Sequence, residues 1–573
     1  MSDNLINYIG RKKIAEFLSE YITPFNQEEI ENFIEIPPPE IIHTYAFPCY
    51  RLAKFEKKNP VIIAEQLIKS FEKPNYFKEI TAKGPYINFQ LQTSLILGVI
   101  FNAKENYGRI LKDSAYKQLN IVIEYPSPNT NKPLHLGHVR NMLIGKTISN
   151  LFEYFGHKVY QVNLNNDRGI HICKSMLAYA KWGNNKNPDK KSDHFVGDFY
   201  VLYNKKVEEN PELENEVKEM LKKWEEGNPN VIKLWKKMNK WALDGFHETY
   251  EKLGIKFDKE YFESDFYKKG KEKILEGLKK GLFEKNDDGA IYAKLSEKYN
   301  LPDKILLRSD GTSIYITQDI YLAYLKKKDF NYDRSIYVVG NEQDLYFKQL
   351  FAVLDILGFK EDKFHFSYGM INLPEGKMKS REGKVVDADD IIEEMINLAY
   401  QEVNKRYPNL DEEEKKRRAK IIGMGALKFF ILKFNPKSDF VFNPEESISF
   451  EGETGPYVQY CYARIQSIIT KSEQPISLEV NYDLLTDEKE LTLIKYLNYF
   501  PEIVKQTVDT YNLHLIPQYL LNLCQKFNSF YSSCQVISEN KELERARLLL
   551  IKCVQIVIKV GLNLLDIETL EEM

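Results

Sequence analysis

The sequence predicts an α/β protein: a Rossmann-like parallel-sheet central domain, with an N-terminal α+β domain before it and a C-terminal all-α helical bundle after it. Three observations carry this expectation. Residues 121–164 read as one strand–helix–strand unit, the crossover from which parallel sheets are built. Short β-branched runs then recur between helical stretches as far as residue 368. Beyond about residue 405 the apolar spacing is helical to the end.

Residues 1–115 are expected to form a separate module. Ile6, Ile14, Phe17, Leu18 and Tyr21 recur at helical spacing, prolines 37–39 interrupt, and a second helix is expected near Ala64–Phe71. Gly84 to Leu91 alternates like a strand. Arg51, Lys54, Lys57 and Lys58 have acids interspersed nearby, so a solvated face explains them more readily than a nucleic-acid surface.

The α/β pattern is expected over 116–440. It opens with strand Ile121–Tyr125, helix 137–155 and strand Lys158–Leu164. Residues 183–260, dense in Lys, Glu and Asn, read as a helical insertion, with Trp224, Trp235 and Trp241 in its packing. Strands are expected again at Lys304–Leu307, Ser313–Thr317, Ser335–Val339 and Phe364–Tyr368, with helices at 318–328 and 343–357. Glu412, Glu413 and Glu414 precede Lys416, Arg417 and Arg418 by four residues, the favourable order on an exposed helix. That pairing and a contact with RNA explain the basic cluster equally well. Residues 441–573 form the helical bundle, in which Tyr519, Leu520, Leu523, Phe527, Phe530 and Tyr531 keep helical spacing.

At 573 residues the chain has room for several domains with sizeable cores. A net charge of −3 neither announces nor excludes a nucleic-acid partner, so any RNA contact must use local basic surfaces. The six cysteines include no C-x-x-C pair, which argues against a zinc ribbon or a disulfide framework and for a reduced, cytoplasmic protein. The first residues lack an apolar core and no segment approaches a membrane span, so neither export nor membrane insertion is expected.

Chemistry concentrates in three stretches. In the first, Glu124 ends a strand, and Pro126, Pro128 and Pro133 with Asn129, Thr130 and Asn131 force an irregular loop. His135-Leu136-Gly137-His138 then opens a helix. Histidines three apart share a helix face, each can donate to an oxyanion, and Gly137 lets a flat ring approach the backbone. A nucleotide triphosphate suits such a cradle, and two surface histidines in a helix cap is the plain alternative. The spacing lacks the H-E-x-x-H pattern of a zinc site. Gly145-Lys146-Thr147 is no P-loop, because Arg140 stands where that motif needs glycine.

In the second stretch, Tyr315 and Asp319 lie at one strand-to-helix junction and Gln343 at another. Each acid alone reads as a helix cap, but junctions carrying Glu124, Asp319 and Gln343 together suggest one polar pocket. Two carboxylates, an amide and a tyrosine suit a guanidinium, whose planar fork of donors lysine cannot reproduce. The third stretch, Gly376-Lys-Met-Lys-Ser-Arg-Glu-Gly383, brackets Lys377, Lys379 and Arg381 with glycines. As a bare sequence it is more often a solvated turn, yet such a loop can also close over a triphosphate.

Glu124-Tyr-Pro-Ser-Pro-Asn129 with His135-Leu-Gly-His138, continuing through Asn163-Leu-Asn-Asn-Asp167-Arg168-Gly169, resembles the first signature of class I aminoacyl-tRNA synthetases in its arginyl form. Residues 376–383 resemble the second signature, Lys-Met-Ser-Lys-Ser, but Lys379 stands for its serine and Ser380 for its second lysine. The resemblance covers nearly the whole chain and implies an arginine–tRNA ligase. ATP would be a substrate, accompanied by Mg²⁺ without a protein cage or zinc, and the partners would be L-arginine and arginine-accepting tRNA. Glu124, Asn129, His135, Tyr315, Asp319 and Gln343 fall on positions that bind arginine in that family. His135, Gly137, His138, Lys377, Met378, Lys379 and Arg381 fall on ATP-binding ones, with His135, His138 and Lys377 catalytic. Some arginyl enzymes use a lysine just upstream of the histidine motif in place of the missing one, which here is Lys132. The first 115 residues resemble the domain that contacts the tRNA elbow. Glu453–Tyr460 and Leu515–Val536 resemble parts of the anticodon-binding domain, where aromatic residues could stack on unpaired bases although most are expected in the core. A monomer is expected.

Overall fold

The computed structural model describes residues 10–38, 41, 43–109, 117–312, 314–372 and 386–573. Five strands form an all-parallel sheet: β1 (Asn120–Glu124), β2 (Lys158–Asn165), β3 (Lys259–Phe262), β4 (Arg334–Gly340) and β5 (Asp362–Tyr368). Their order is β3-β2-β1-β4-β5. It reverses between β1 and β4, and in such a sheet a ligand crevice opens at the carboxyl ends of those two strands. Ile121, Val122 and Ile123 of β1 are buried, as are Ile336 and Val338 of β4. An unbroken apolar run is what a parallel strand needs when helices cover both faces. Helices Leu136–Tyr154 and Ile170–Trp182 follow β1 and β2, Tyr315–Phe330 precedes β4, and Asp344–Ile356 joins β4 to β5.

The expected strand at Ser313–Thr317 does not form. Ser313 lies outside the described residues, Ile314 is extended, and the helix begins at Tyr315. The Thr317 hydroxyl accepts the N–H of Ile314 at 3.2 Å and donates to the Leu306 carbonyl at 2.6 Å, capping the helix. Ile316, Thr317 and Ile320 are fully or almost fully buried, so the β-branched run reflects burial of a helix rather than strand preference. Lys304–Leu307 is a strand, as expected, but it belongs to a separate antiparallel sheet with Glu284–Lys285 and Ile291–Ala293.

Three helices, Ser192–Glu209, Leu213–Glu225 and Pro229–Leu253, fill most of the expected insertion. Its expected limit at 260 takes in part of β3, an edge strand too short and too polar to stand out by periodicity. The tryptophans pack. Trp224 and Trp235 meet edge to face at 5.4 Å, Trp241 meets Tyr179 and Phe195, and Trp235 Nε1 donates to the Asp167 carbonyl at 2.6 Å.

At the N-terminus, helices Arg11–Ser19, Gln27–Phe33 and Pro60–Ser70 pack with the antiparallel strands Tyr45–Pro48, Phe77–Lys83 and Tyr86–Leu91. Gly84, at φ 59°, makes the turn between the last two, so the strand expected from Gly84 starts two residues later. Helices run from Ala388 almost to the end, earlier than residue 405. Tyr519, Leu520, Leu523, Phe527 and Phe530 are buried in the bundle, whereas Tyr531 is exposed. Arg417 and Arg418 both pair with Glu414, and Arg418 also with Glu572, so the ion-pair account of that cluster is the one the structure displays.

Candidate active site at the carboxyl end of the parallel sheet

Glu124 ends β1, and the proline-rich loop after it is pinned to the end of β2. The Ser127 N–H donates to Asn163 Oδ1 at 3.2 Å, Asn166 N–H to the Pro128 carbonyl at 2.9 Å, and Thr130 N–H to the Asn166 carbonyl at 3.2 Å. Asn163 and Asn165, both fully buried, in turn donate to Glu260 on β3. The 163–169 string thus acts as the loop's scaffold, which buried amides need partners to do. Asn129 itself is exposed on the loop.

His135 is the N-cap of helix Leu136–Tyr154. Its Nδ1 accepts the Gly137 N–H at 3.1 Å, and Nδ1 of His138 accepts the His135 N–H at 3.2 Å. The two ring centroids lie 3.8 Å apart. With each Nδ1 engaged as an acceptor, the proton of each neutral ring sits on Nε2. Burial, then the nearby charge of Lys132, pushes His135 down to about 4. Burial, His135 and Lys132 hold His138 well below its ordinary value. The cradle therefore offers two neutral N–H donors beside a positive helix end. A Cβ on Gly137 would stand 2.9 Å from Cε1 of His135, so the ring this glycine admits is the histidine's own.

The cradle is braced from the far side. Leu136 N–H donates to the Val386 carbonyl at 2.9 Å and Ala388 N–H to the Leu134 carbonyl at 3.0 Å. Just beyond, Asp389 takes Lys191 Nζ at 2.6 Å and Lys252 Nζ at 2.7 Å from the insertion helices. Arg140, buried on the same helix as His138, donates to the carbonyls of Met370, Pro436 and Ser438 at 2.8–3.1 Å.

Asp319 stands in the second turn of helix Tyr315–Phe330 and accepts the hydroxyl of Tyr346. Burial raises it to about 7, with the Tyr346 bond opposing and the charges of Glu124 and Glu263 adding. Two turns on, Lys326 donates to Glu124 Oε2 at 2.7 Å. Residues seven apart share a helix face, so Glu124 and Asp319 face the same side of that helix. Gln343 ends the turn after β4, one turn before Tyr346, and is exposed. Tyr315, at the helix start, is 67% exposed. The structure thus brings buried Glu124 and half-buried Asp319 together and leaves Asn129, Tyr315 and Gln343 with solvent-facing side chains. Lys377, Met378, Lys379 and Arg381 lie outside the described residues.

A family model described as the catalytic domain of class I (R) tRNA synthetases matches residues 101–444. An arginyl-tRNA synthetase N-terminal domain matches 10–91 and a DALR anticodon-binding domain 458–573. This chain belongs to the arginyl-tRNA synthetase family. It is 45% identical to an arginine–tRNA ligase of Treponema denticola, over 94% of each chain. Its identity to one of Bacteroides thetaiotaomicron is 46%, over 99% of this chain and all of that one. The Thermus thermophilus arginyl-tRNA synthetase structure superposes with a TM-score of 0.78 at 25% identity, covering 98% of this chain and 99% of that one. A methionyl-tRNA synthetase of Mycobacterium tuberculosis matches at 0.52 and 13% identity, a likeness of fold.

The arginyl-tRNA synthetase crevice holds residues that sequence reasoning passed over. Lys326 begins the run Lys326-Lys327-Lys328, which reads as a solvated charge run, and only its place seven residues after Asp319 points inward. Tyr346 stands three residues after Gln343. Glu263 pairs with Arg168 at 3.3 Å beside the same carboxylates.

Proposed function

We infer that the chain is an arginine–tRNA ligase whose arginine pocket is built on Glu124 and Asp319, with Asn129, Tyr315, Gln343 and His135 completing it. The observation that carries this reading is the meeting of two carboxylates, buried Glu124 at the end of β1 and half-buried Asp319 on the helix before β4; the His135–His138 cradle opens the helix that follows β1. In the first step the arginine carboxylate attacks the α-phosphorus of ATP and pyrophosphate leaves. His135 and His138 donate through Nε2–H to the oxygens on which charge grows, a stabilisation that fixed donors supply without reorganising. Lys132 sets a cation beside both imidazoles, and by family resemblance Lys377, Lys379 and Arg381 attend the phosphates. In the second step the 2′-hydroxyl of the terminal adenosine attacks the mixed anhydride, as class I membership implies.

Mg²⁺ would accompany ATP and offset its phosphate charge, as the family resemblance implies. Among the described residues, Asp193, His194 and Asp389 have metal-like spacing, but Asp389 already holds two ammonium groups and suits no further cation. We assign 1–115 to the tRNA elbow, 116–440 to catalysis and 441–573 to the anticodon. A groove of about 1060 Å³ is lined by Tyr460, Arg464 and Tyr531 from the last of these and by Tyr407 from before it. The Arg464 guanidinium lies over the Tyr460 ring at 4.7 Å, and such planar groups stack on unpaired bases. No described helix is long and apolar enough to cross a membrane. The test is charging of arginine-accepting tRNA with arginine, lysine and citrulline in turn. Arginine alone should be transferred, and equal charging with lysine would overturn the pocket assignment.

A further inference from the structure

Lys326 has no part in the roles assigned above, yet it is fully buried at the floor of the crevice. Its Nζ donates to Glu124 Oε2 at 2.7 Å and to Ser335 Oγ at 3.1 Å, and it lies 3.8 Å from the centre of the Tyr337 ring. Burying an ammonium is costly, and a hydrophobic side chain of similar volume would serve packing as well. The charge therefore needs an explanation. Glu263, the other acid near this floor, takes Arg168 Nη1 at 3.3 Å. Asp319 has the neutral hydroxyl of Tyr346. Two carboxylates thus have resident cations and Asp319 does not.

We propose that Lys326 is a positioning and specificity-determining residue of the arginine pocket. By pairing with Glu124 it supplies that carboxylate's counter-charge and leaves Asp319 as the acid without a resident cation, so that the pocket balances one guanidinium. This rests on the reading of Glu124 and Asp319 as arginine-binding residues. Without Lys326, the two facing carboxylates would repel, and Asp319, already raised to about 7 by burial, would hold its proton to higher pH still. A protonated carboxyl presents a donor, which guanidinium, having only donors, cannot use. Citrulline, whose ureido oxygen accepts, can use it. Discrimination between the two is thereby set by a residue that touches neither.

Among the described residues, the groups that titrate near this floor include Glu124 from β1, Asp319 and Lys326 from helix Tyr315–Phe330, and Glu263, which burial raises to about 7, with Arg168 and Asp167 beside it. Tyr261, Tyr332, Tyr337 and Tyr346 are held above their ordinary range, chiefly by burial, and stay neutral. Lys326 counts among the influences that lower Asp319. Its loss therefore moves the Asp319 titration upward, and arginine binding, which needs that carboxylate ionised, weakens at a given pH.

The experiment is amino-acid-dependent pyrophosphate exchange by the full chain with arginine-accepting tRNA present, followed across neutral pH. Lys326→Met should raise the KM for arginine about tenfold or more while the KM for ATP holds. It should also move the midpoint of the arginine kcat/KM profile up by about one pH unit, and lower the arginine-to-citrulline preference by about tenfold. Lys326→Arg should restore the midpoint. A folded K326M with the wild-type midpoint and preference overturns the inference, whatever its thermal stability. Should K326M not fold, Ser335→Ala removes the ammonium's second acceptor and keeps its charge; a selective rise of about threefold in arginine KM is expected, and no change overturns the proposal. Wild-type exchange that runs equally with lysine would instead remove the arginine reading itself.

Discussion

The backbone N–H of His135 donates to Nδ1 of His138 at 3.2 Å, so one imidazole is aimed by the main chain of the residue bearing the other. With His135 near 4 and His138 held lower still, both rings act as neutral donors. At saturating arginine, kcat should stay level from pH 8 to about 5 and fall only as His135 takes up a proton. A rise in kcat below about 6.5, measured by pyrophosphate exchange, would mean that imidazolium is the working form. His138→Asn should lower kcat about 10²-fold or more, as expected for a lost transition-state donor.

Tyr346 opposes the upward shift of Asp319 by donating to its carboxylate. Tyr346→Phe removes that donor, so Asp319 rises further above about 7 and is more protonated at neutral pH. Arginine kcat/KM should fall about fivefold at pH 7 and recover about a pH unit higher, since a carboxylate raised in the fold is regained as pH increases. An equal loss at both pH values would mean that the hydroxyl serves packing alone.

The parts of this site that were legible in the sequence are those whose chemistry is local. A strand ending in Glu124, a proline-broken loop and a helix opening at His135 all follow from near neighbours, and the structure has them. Asp319 was legible as an acid at a helix start, although the strand expected before it is helix. What could not be read depends on contacts far apart in the chain. Glu124 and Lys326 are separated by 202 residues, and three consecutive lysines look solvated until one is folded against a carboxylate. β3 was missed for the same reason: an edge strand of four residues carries too few apolar positions to show a period.

Lys132 bears on both imidazoles but its side chain is only half-buried at the crevice. If it supplies the cation that the loop lacks at Ser380, Lys132→Ala should slow adenylate formation about 10²-fold or more. Arginine KM should change little. An unchanged rate in single-turnover measurement would leave the role to another cation.

Asp389 is a different case, an anchor rather than a reactant. Burial alone would raise it, but hydrogen bonds from His194, Lys191 and Lys252 outweigh that and hold it below the usual carboxylate range. The sign follows: this stabilisation is present above the unfolded value of about 4 and is lost as pH falls through that region. Asp389→Asn should cost about 1–2 kcal/mol at pH 7, because two partly exposed ammoniums lose their counter-charge. The gap in thermal midpoint between variant and wild type should narrow below about pH 4. A gap that does not narrow would mean the cluster stabilises by packing alone.

Arg140 ties the helix that carries His135 and His138 to two segments distant in sequence. One guanidinium satisfies three carbonyls, those of Met370, Pro436 and Ser438, from a fully enclosed position. Burial pushes it down to about 10, so it remains charged at neutral pH. The Phe440 ring lies 4.7 Å from the guanidinium carbon, covering the planar face. A lysine at this position keeps the charge but presents a point of donors, not a fork, and cannot reach acceptors from both sides of a plane. Arg140→Lys should therefore behave nearly as badly as Arg140→Met, each costing about 2–4 kcal/mol through carbonyls left without donors. Because the anchored segments flank the cradle and not the arginine pocket, residual folded enzyme should show a lowered kcat with arginine KM nearly unchanged. Equal stability of Arg140→Lys and wild type, measured by thermal unfolding, would show that charge rather than geometry makes this joint.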